Sequence, residues 1–273
     1  MCYKPLVIPR DRSEWFDQVA THVVPCGVCP KCLRSRQQDW LFRLTQEMYN
    51  STSSIFLTLT YDDDHLPVSF NGLPTLQKAD LQKFWKRLRK EYPPKTIKYY
   101  AIGEYGFEKD RPHYHAIVYN LCQRHILKPD ELDGIWDKGI VDSRPINGNR
   151  LGYVTGYVMQ GSWKPEHELD DRSKHFSASS QGLGKCYSDD QEIARHYRGT
   201  LQAHYYQERA KRKLPRYYMD KIFSPHEKKI IQNKLARKVE PLENRFDNAN
   251  HMVQWIRDQD RKHALLLEKR RKA

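Results

Sequence analysis

No run of apolar residues in this 273-residue chain approaches the ~20 that a membrane-spanning helix needs, so the sequence offers no membrane helix. The opening Met1-Cys2-Tyr3-Lys4-Pro5 lacks the apolar core of a secretory signal, and the expectation is a cytoplasmic protein with no membrane partner. Cysteine is scarce, six in all, and a reducing compartment argues against a disulfide framework. No internal repeat is present. Acidic residues fall short of basic ones, 34 against 47, leaving a net charge of +13. That excess is uneven, because residues 211–273 hold 18 basic and 8 acidic side chains. Such a stretch suits a polyanion, most simply nucleic acid; the plainer reading is a solvated basic helix.

Among the residues that are present, Arg111-Pro112-His113-Tyr114-His115-Ala116-Ile117-Val118-Tyr119 is the most informative run. A strand repeats every two residues, so both imidazoles project from one face together with Ile117 and Tyr119. Two histidines side by side on a rigid strand make half of a metal site, although a packed or surface pair is the commoner outcome for such a motif. About forty residues later, Tyr153-Val154-Thr155-Gly156-Tyr157 places two phenols four residues apart, on one face of a helix. In isolation, tyrosines at that spacing are more often core packing. Gly152 and Gly156 beside them weaken a helix and clear space for an approaching backbone.

The periodicities elsewhere predict a helix over residues 30–49, with Leu33, Trp40, Leu41, Leu44 and Met48 on one stripe. A strand is expected over 55–61, then an acidic turn at Asp62, Asp63 and Asp64, and a helix carrying Leu81, Phe84, Trp85 and Leu88 that stops at Pro93-Pro94. Residues 97–104 read as a strand that hairpins with the histidine strand. A helix over 128–136, a strand over 139–144 and a helix starting near Asn149 complete the order. The expected fold class is therefore α+β, a central antiparallel sheet flanked by helices, with a mainly helical C-terminal extension. Four segments follow: a cysteine-containing start with the first helix (1–50), the catalytic core (51–161), an irregular loop or lid (162–187) and a basic helical region (188–273). Ser188 with Gln191 and Ser224 with Glu227 each match a capping box, and Pro215 separates two helices.

Two imidazoles need a further ligand to hold a catalytic divalent ion with open positions for substrate oxygens. Glu104 is the first choice, because a hairpin would bring it alongside His113; Asp62, Asp63, Asp64, His65 and Gln160 are rivals. Imidazole plus carboxylate suits Mn2+ more than Mg2+, yet Mg2+ is far more available, so either serves. A free phenol, with a pKa of about 10, needs activation before it can attack phosphorus. Attack on DNA would release a 3′ hydroxyl and leave the 5′ phosphate on tyrosine, conserving the bond energy for resealing. Separately, Cys26, Cys29 and Cys32 with Cys2 supply four thiolates to a candidate structural Zn2+, with unmetallated thiols or an iron–sulfur cluster as the alternatives. Arg34, Arg36 and Arg43 on the first helix, together with Arg111 and Arg216, are candidate DNA contacts or solvated side chains.

Several runs together resemble the HUH-type replication-initiation endonucleases of rolling-circle replicons, most closely those of small single-stranded DNA phages of the microvirus group and its gokushovirus-like branch. These runs are Phe56-Leu57-Thr58-Leu59-Thr60-Tyr61, Gly103-Glu104-Tyr105-Gly106, the histidine run, the tyrosine run, Pro25-Cys26-Gly27-Val28-Cys29-Pro30-Lys31-Cys32 and Leu214-Pro215-Arg216-Tyr217-Tyr218. The resemblance implies an RRM-like core, metal ligation by His113, His115 and Glu104, and nucleophilic roles for Tyr153 and Tyr157. It implies nicking and rejoining of single-stranded DNA at the origin of a replicative-form circle, with host helicase and polymerase as partners. Single-tyrosine members often carry a lysine on the same helix, where this chain has Gly156 or Tyr157, and that departure places it with the two-tyrosine class. A transposase or relaxase built from the same motifs is disfavoured by the order of motifs and by length. A non-enzymatic zinc-containing DNA-binding protein remains a distinct alternative.

Overall fold

Residues 2–9, 21–93, 96–106, 110–126, 128–157, 167–207, 209–236 and 249–271 are described by the computed structural model of the chain. In chain order the elements are β1 (Leu6–Pro9), β2 (Thr21–Val24), α1 (Pro30–Asn50), β3 (Ser54–Tyr61), α2 (Lys78–Glu91), β4 (Lys98–Tyr105), β5 (Pro112–Tyr119), α3 (Asp133–Trp136), β6 (Gly139–Pro145), α4 (Gly148–Gly156), β7 (Phe176–Ser179), α5 (Cys186–Asp189), α6 (Gln191–Thr200), β8 (His204–Gln207), β9 (Ala210–Lys213), α7 (Arg216–Ile222), α8 (Pro225–Ala236) and α9 (Ala249–Arg271). They fall into two compact units, one built mainly from Trp40–Tyr157 and Ser162–Gln191, the other mainly from Met1–Asp39 and Glu192–Ala273.

The first unit is an antiparallel five-stranded sheet in the order β6-β3-β5-β4-β7 with helices on its faces, which is the α+β class the pattern predicts. Period-two alternation gives the sheet two apolar faces. On one, Ile55, Leu57, Leu59 and Tyr61 of β3 and Tyr114, Ala116 and Val118 of β5 pack with Leu81, Phe84, Trp85 and Leu88 of α2 and Trp136 of α3. On the other, Phe56, Tyr100, Ile102, Ile117 and Tyr119 pack with Leu44 of α1 and Leu151 and Val154 of α4. Tyr61 and Tyr114 share a buried 2.9 Å hydrogen bond, and Tyr61 also donates to Asp80 at 3.2 Å, so the polar ends of these core aromatics are satisfied. Glu47, 1% exposed, accepts from Lys98 Nζ at 2.7 Å and from the Gly184 amide at 2.7 Å, which ties α1 to β4 and to the turn after β7. Gly139 opens β6 at φ +139°, and a Cβ there would run into the Thr60 carbonyl.

Where the structure departs from the sequence reading, each departure is local. Residues 162–187, expected to be irregular, contain β7, which pairs with β4 from Tyr100↔Ser179 to Gly103↔Phe176. Residues 188–273, expected to be helical, contain the β8–β9 hairpin, paired from His204↔Lys213 to Gln207↔Ala210. The helix expected over 128–136 is a short 3-10 turn, Pro129–Leu132, followed by α3. Ser188 does not cap the helix that follows: it lies inside α5, and its hydroxyl donates to the Lys185 carbonyl. Ser224 does cap, accepting from the Glu227 amide while Glu227 accepts from the Ser224 amide at 2.7 Å. Among the described residues no helix is long and apolar enough to cross a membrane.

Candidate active site

Register decides what meets at the sheet end that His113 and His115 occupy. Antiparallel pairing of β4 with β5 sets Glu104 directly opposite His113, and pairing of β3 with β5 sets Thr58 opposite His115. All four side chains lie on the sheet face that α4 covers, since they alternate with the residues buried against α2. Helix α4 begins at Asn147, whose side chain accepts from the Arg150 amide at 2.9 Å. Further along the helix, Tyr153 hangs over the cluster, and Tyr157, one turn later at the helix end, stands beside it with ring centroids 5.1 Å apart.

These side chains converge on one oxygen. Glu104 Oε1 lies 2.8 Å from His113 Nε2, 2.9 Å from His115 Nε2, and accepts from the Tyr153 hydroxyl at 3.0 Å. Tyr157 in turn donates to the Tyr153 oxygen at 2.7 Å. Glu104 is 3% exposed, and its other oxygen, Oε2, is buried with no hydrogen-bond partner. Tyr153 is 44% exposed, so the phenol that touches the buried cluster is also open to a substrate.

The distal ring nitrogens are held as well. His113 Nδ1 donates to the Arg111 carbonyl at 3.0 Å, and His115 Nδ1 is 3.0 Å from Thr58 Oγ1. Phe56 stacks on His115 with centroids 5.4 Å apart. A carbonyl accepts only, so Nδ1 of His113 carries its proton there, and a neutral ring would aim the Nε2 lone pair at the cluster. With a carboxylate facing Nε2 instead, both nitrogens donate. Burial works against that charged ring, but the hydrogen bond and negative charge of Glu104 prevail, and the His113 pKa lies above the usual imidazole value. For Glu104 burial pushes the carboxyl up, yet the hydrogen bonds from His113 and His115 outweigh it and hold the group below the usual carboxylate range. Burial and then the Glu104 charge push the Tyr153 phenol up to about 12. In this state the phenol is a poor nucleophile at neutral pH.

Glu104, His113 and His115 form one of two groups among the described residues whose ligand atoms all lie within 4.8 Å of one another. Neighbouring ligands of an octahedral ion with bonds of about 2.1 Å sit roughly 3 Å apart. The 2.8 and 2.9 Å separations and the orphaned Oε2 therefore fit a divalent cation. The second group is Cys2, Cys26, Cys29 and Cys32.

The rival ligands lie apart from this cluster. Asp62 accepts from the His65 amide and ring Nδ1, each at 2.8 Å, in an exposed turn. Asp63 takes Arg111 Nη1 at 2.6 Å, and Gln160 falls outside the described residues. Arg111 also donates twice to the Tyr61 carbonyl, so its guanidinium fastens the β5 entry to the end of β3. Arg34 is exposed on α1, while Arg36 donates to the Gly27 carbonyl at 3.4 Å. Arg43 is held by the Leu183 carbonyl and lies over the Trp40 ring. Arg216, well exposed, pairs with Asp220 at 3.5 Å. Gly152 faces open space, whereas Gly156 is buried. Thr58 and the Arg111 carbonyl were not singled out in the sequence; the one signal was the alternation of threonine with apolar residues along β3, which puts Thr58 on the histidine face.

A family model of replication-associated proteins of the ORF2 type matches residues 54–162, a span that includes β3, Glu104, both histidines and both tyrosines. Over that span the chain belongs to the ORF2 family of replication-associated proteins. Outside it, similarity extends to the Replication-associated protein ORF2 of Spiroplasma virus 4, 28% identical over 180 residues that cover 60% of this chain and 56% of the relative. The Replication-associated protein ORF4 of Chlamydia phage 1 is 28% identical over 222 residues, covering 72% of this chain and 53% of the relative. The Replication-associated protein VP4 of Bdellovibrio phage phiMH2K is 23% identical over 237 residues, 79% of this chain and 72% of the relative. The chain thus spans about half the length of the first two relatives. No solved structure matches it.

Proposed function

We propose that this chain is a site-specific nickase and ligase of single-stranded DNA that starts rolling-circle replication of a small circular phage-type genome. The observation that carries the reading is the sharing of Glu104 Oε1 by two imidazoles and one exposed phenol. Membership of the core in a replication-associated family, and relatives from three viruses of bacteria, support the replicative role. The origin strand of the replicative form is the proposed substrate, and host helicase and polymerase extend the freed end.

Glu104, His113 and His115 would hold Mg2+ or Mn2+, which supplies polarisation of the scissile phosphate and electrostatic support for a phenolate. The protein's own groups do the rest. Tyr153 Oη forms a bond to phosphorus while the bond from phosphorus to the 3′ oxygen breaks. The phenol loses one proton and the departing 3′ oxygen gains one, so the step is proton-neutral overall. The 5′ phosphate stays esterified to Tyr153, and the same exchange run backwards reseals the strand without a nucleotide cofactor. Tyr157, hydrogen-bonded to Tyr153, is placed for a second cleavage while the first end remains attached. Thr58 and the Arg111 carbonyl hold the imidazoles so that their Nε2 atoms face the cluster.

Incubation with labelled single strands tiled across the replicon, with Mn2+ or with a chelator, tests the proposal. A metal-dependent nick at one site, absent from His113→Ala/His115→Ala, is expected. Binding without any cleaved product, or an equal nick by that variant in chelator, would overturn it.

A further inference from the structure

We propose that Cys2, Cys26, Cys29 and Cys32 form a tetrathiolate zinc centre that fastens the β1–β2 hairpin and the start of α1 to helix α9. The inference is independent of the nuclease reading, because it rests on different residues in the other compact unit. Four sulfurs bound to one zinc at about 2.3 Å stand roughly 3.8 Å apart along the edges of a tetrahedron. Here Cys2 Sγ is 3.4 Å from Cys26 Sγ and 3.7 Å from Cys29 Sγ, and Cys26 Sγ is 4.0 Å from Cys32 Sγ. All four lie within 4.8 Å of one another. A disulfide needs about 2.05 Å, so none of these pairs is bonded. An iron–sulfur cluster places cysteines on different irons, with the cluster body between them, and this set is too tight for that.

The backbone is shaped for thiolates. The Cys26 amide donates to Cys2 Sγ and the Cys29 amide to Cys26 Sγ, each at 3.3 Å. Gly27 turns the chain between them at φ +76°, a conformation that a side chain would strain. Cys29 ends that turn, its carbonyl accepting from the Leu33 amide, and Cys32 sits in the first turn of the 21-residue α1, where the helix dipole favours negative charge.

The surroundings need such a clamp. A two-stranded hairpin is marginal by itself, and β1 exposes Leu6, Val7 and Ile8 rather than burying them. Strand pairing from Leu6↔Val24 carries Cys2 back to Cys26, so the metal closes the open end of the hairpin. The residues following Cys2 then meet α9: the Tyr3 ring packs edge-on against Trp255 at 4.8 Å, and Lys4 Nζ pairs with Asp260 at 3.1 Å. Cys29 and Pro30 line a crevice with Asp260 and His263 of α9.

The test uses the full chain, purified after growth with zinc. Elemental analysis by plasma mass spectrometry is expected to find one zinc per chain after dialysis against a weak chelator. The content should persist in His113→Ala/His115→Ala and be lost in Cys29→Ser/Cys32→Ser. Should the cysteine variant fail to fold, Co2+ exchanged into the wild-type chain decides: sulfur-to-cobalt charge-transfer bands and intense tetrahedral ligand-field bands are expected, and Zn2+ should bleach them. Stripping zinc should open β1, β2 and α9 to protease together, and restoring it should protect them again. Wild-type chain without zinc and with all four thiols freely alkylated, a cobalt spectrum lacking sulfur charge transfer, or an iron–sulfide chromophore would overturn the proposal.

Discussion

Glu104 Oε1 receives three donors in a site that is otherwise closed to water, and nothing else among the described residues neutralises its partner oxygen. Its geometry ranks the neighbouring side chains. Tyr153 touches the carboxylate and Tyr157 touches only Tyr153, so Tyr153 is the first nucleophile in the proposed chemistry. Tyr157→Phe is accordingly expected to retain the first nick and to lose later joining cycles, read by the ratio of nicked to rejoined strands in a gel assay; loss of the first nick would reverse the order. Thr58 acts through His115. Removing its hydroxyl in Thr58→Val should weaken Mn2+ binding by about 10- to 100-fold without unfolding the chain. Calorimetric titration reads this directly, and unchanged affinity would mean that the Thr58 hydroxyl is dispensable for orienting the ring.

At the scale of elements, the strands that frame the site were legible because their own periodicity specifies two faces. The histidines repeat every two residues, the tyrosines every four, and Glu104 follows once the hairpin is drawn. Thr58 was not legible as a partner of His115, since that contact depends on register between β3 and β5, which are more than fifty residues apart. β7 was missed because Phe-Ser-Ala-Ser is short and weakly patterned, and its strand form is fixed by pairing with β4. The β8–β9 hairpin was missed for a related reason: Ala210-Lys211-Arg212-Lys213 reads as helix by propensity, and cross-strand pairing overrides it. Backbone constraint at the β6 end gives an independent check. Gly139→Ala should cost about 2 kcal/mol, since the residue would be strained at φ +139° and its methyl would overlap the Thr60 carbonyl. Urea unfolding reads this as a lowered midpoint, and an unchanged midpoint would contradict the described entry into β6.

For the molecule as a whole, the charge distribution governs how DNA is gathered rather than how it is cut. A net charge of +13, with ten of the excess in residues 211–273, makes phosphate contacts the expected source of affinity. If four phosphates of a single strand are engaged, raising salt from 50 to 200 mM should weaken binding about fifty-fold. Fluorescence anisotropy with a labelled oligonucleotide measures it, and a salt-independent Kd would show that the basic excess plays no part. The cutting itself depends on one arrangement, in which an exposed phenol on α4 and two imidazoles on β5 share a carboxylate on β4. Mass spectrometry of the peptide left attached to nicked DNA tests this most directly. The account predicts a 5′ phosphate esterified to Tyr153 and no adduct in Tyr153→Phe/Tyr157→Phe; an adduct that persists in that double variant, or one mapped to a residue outside α4, would contradict it.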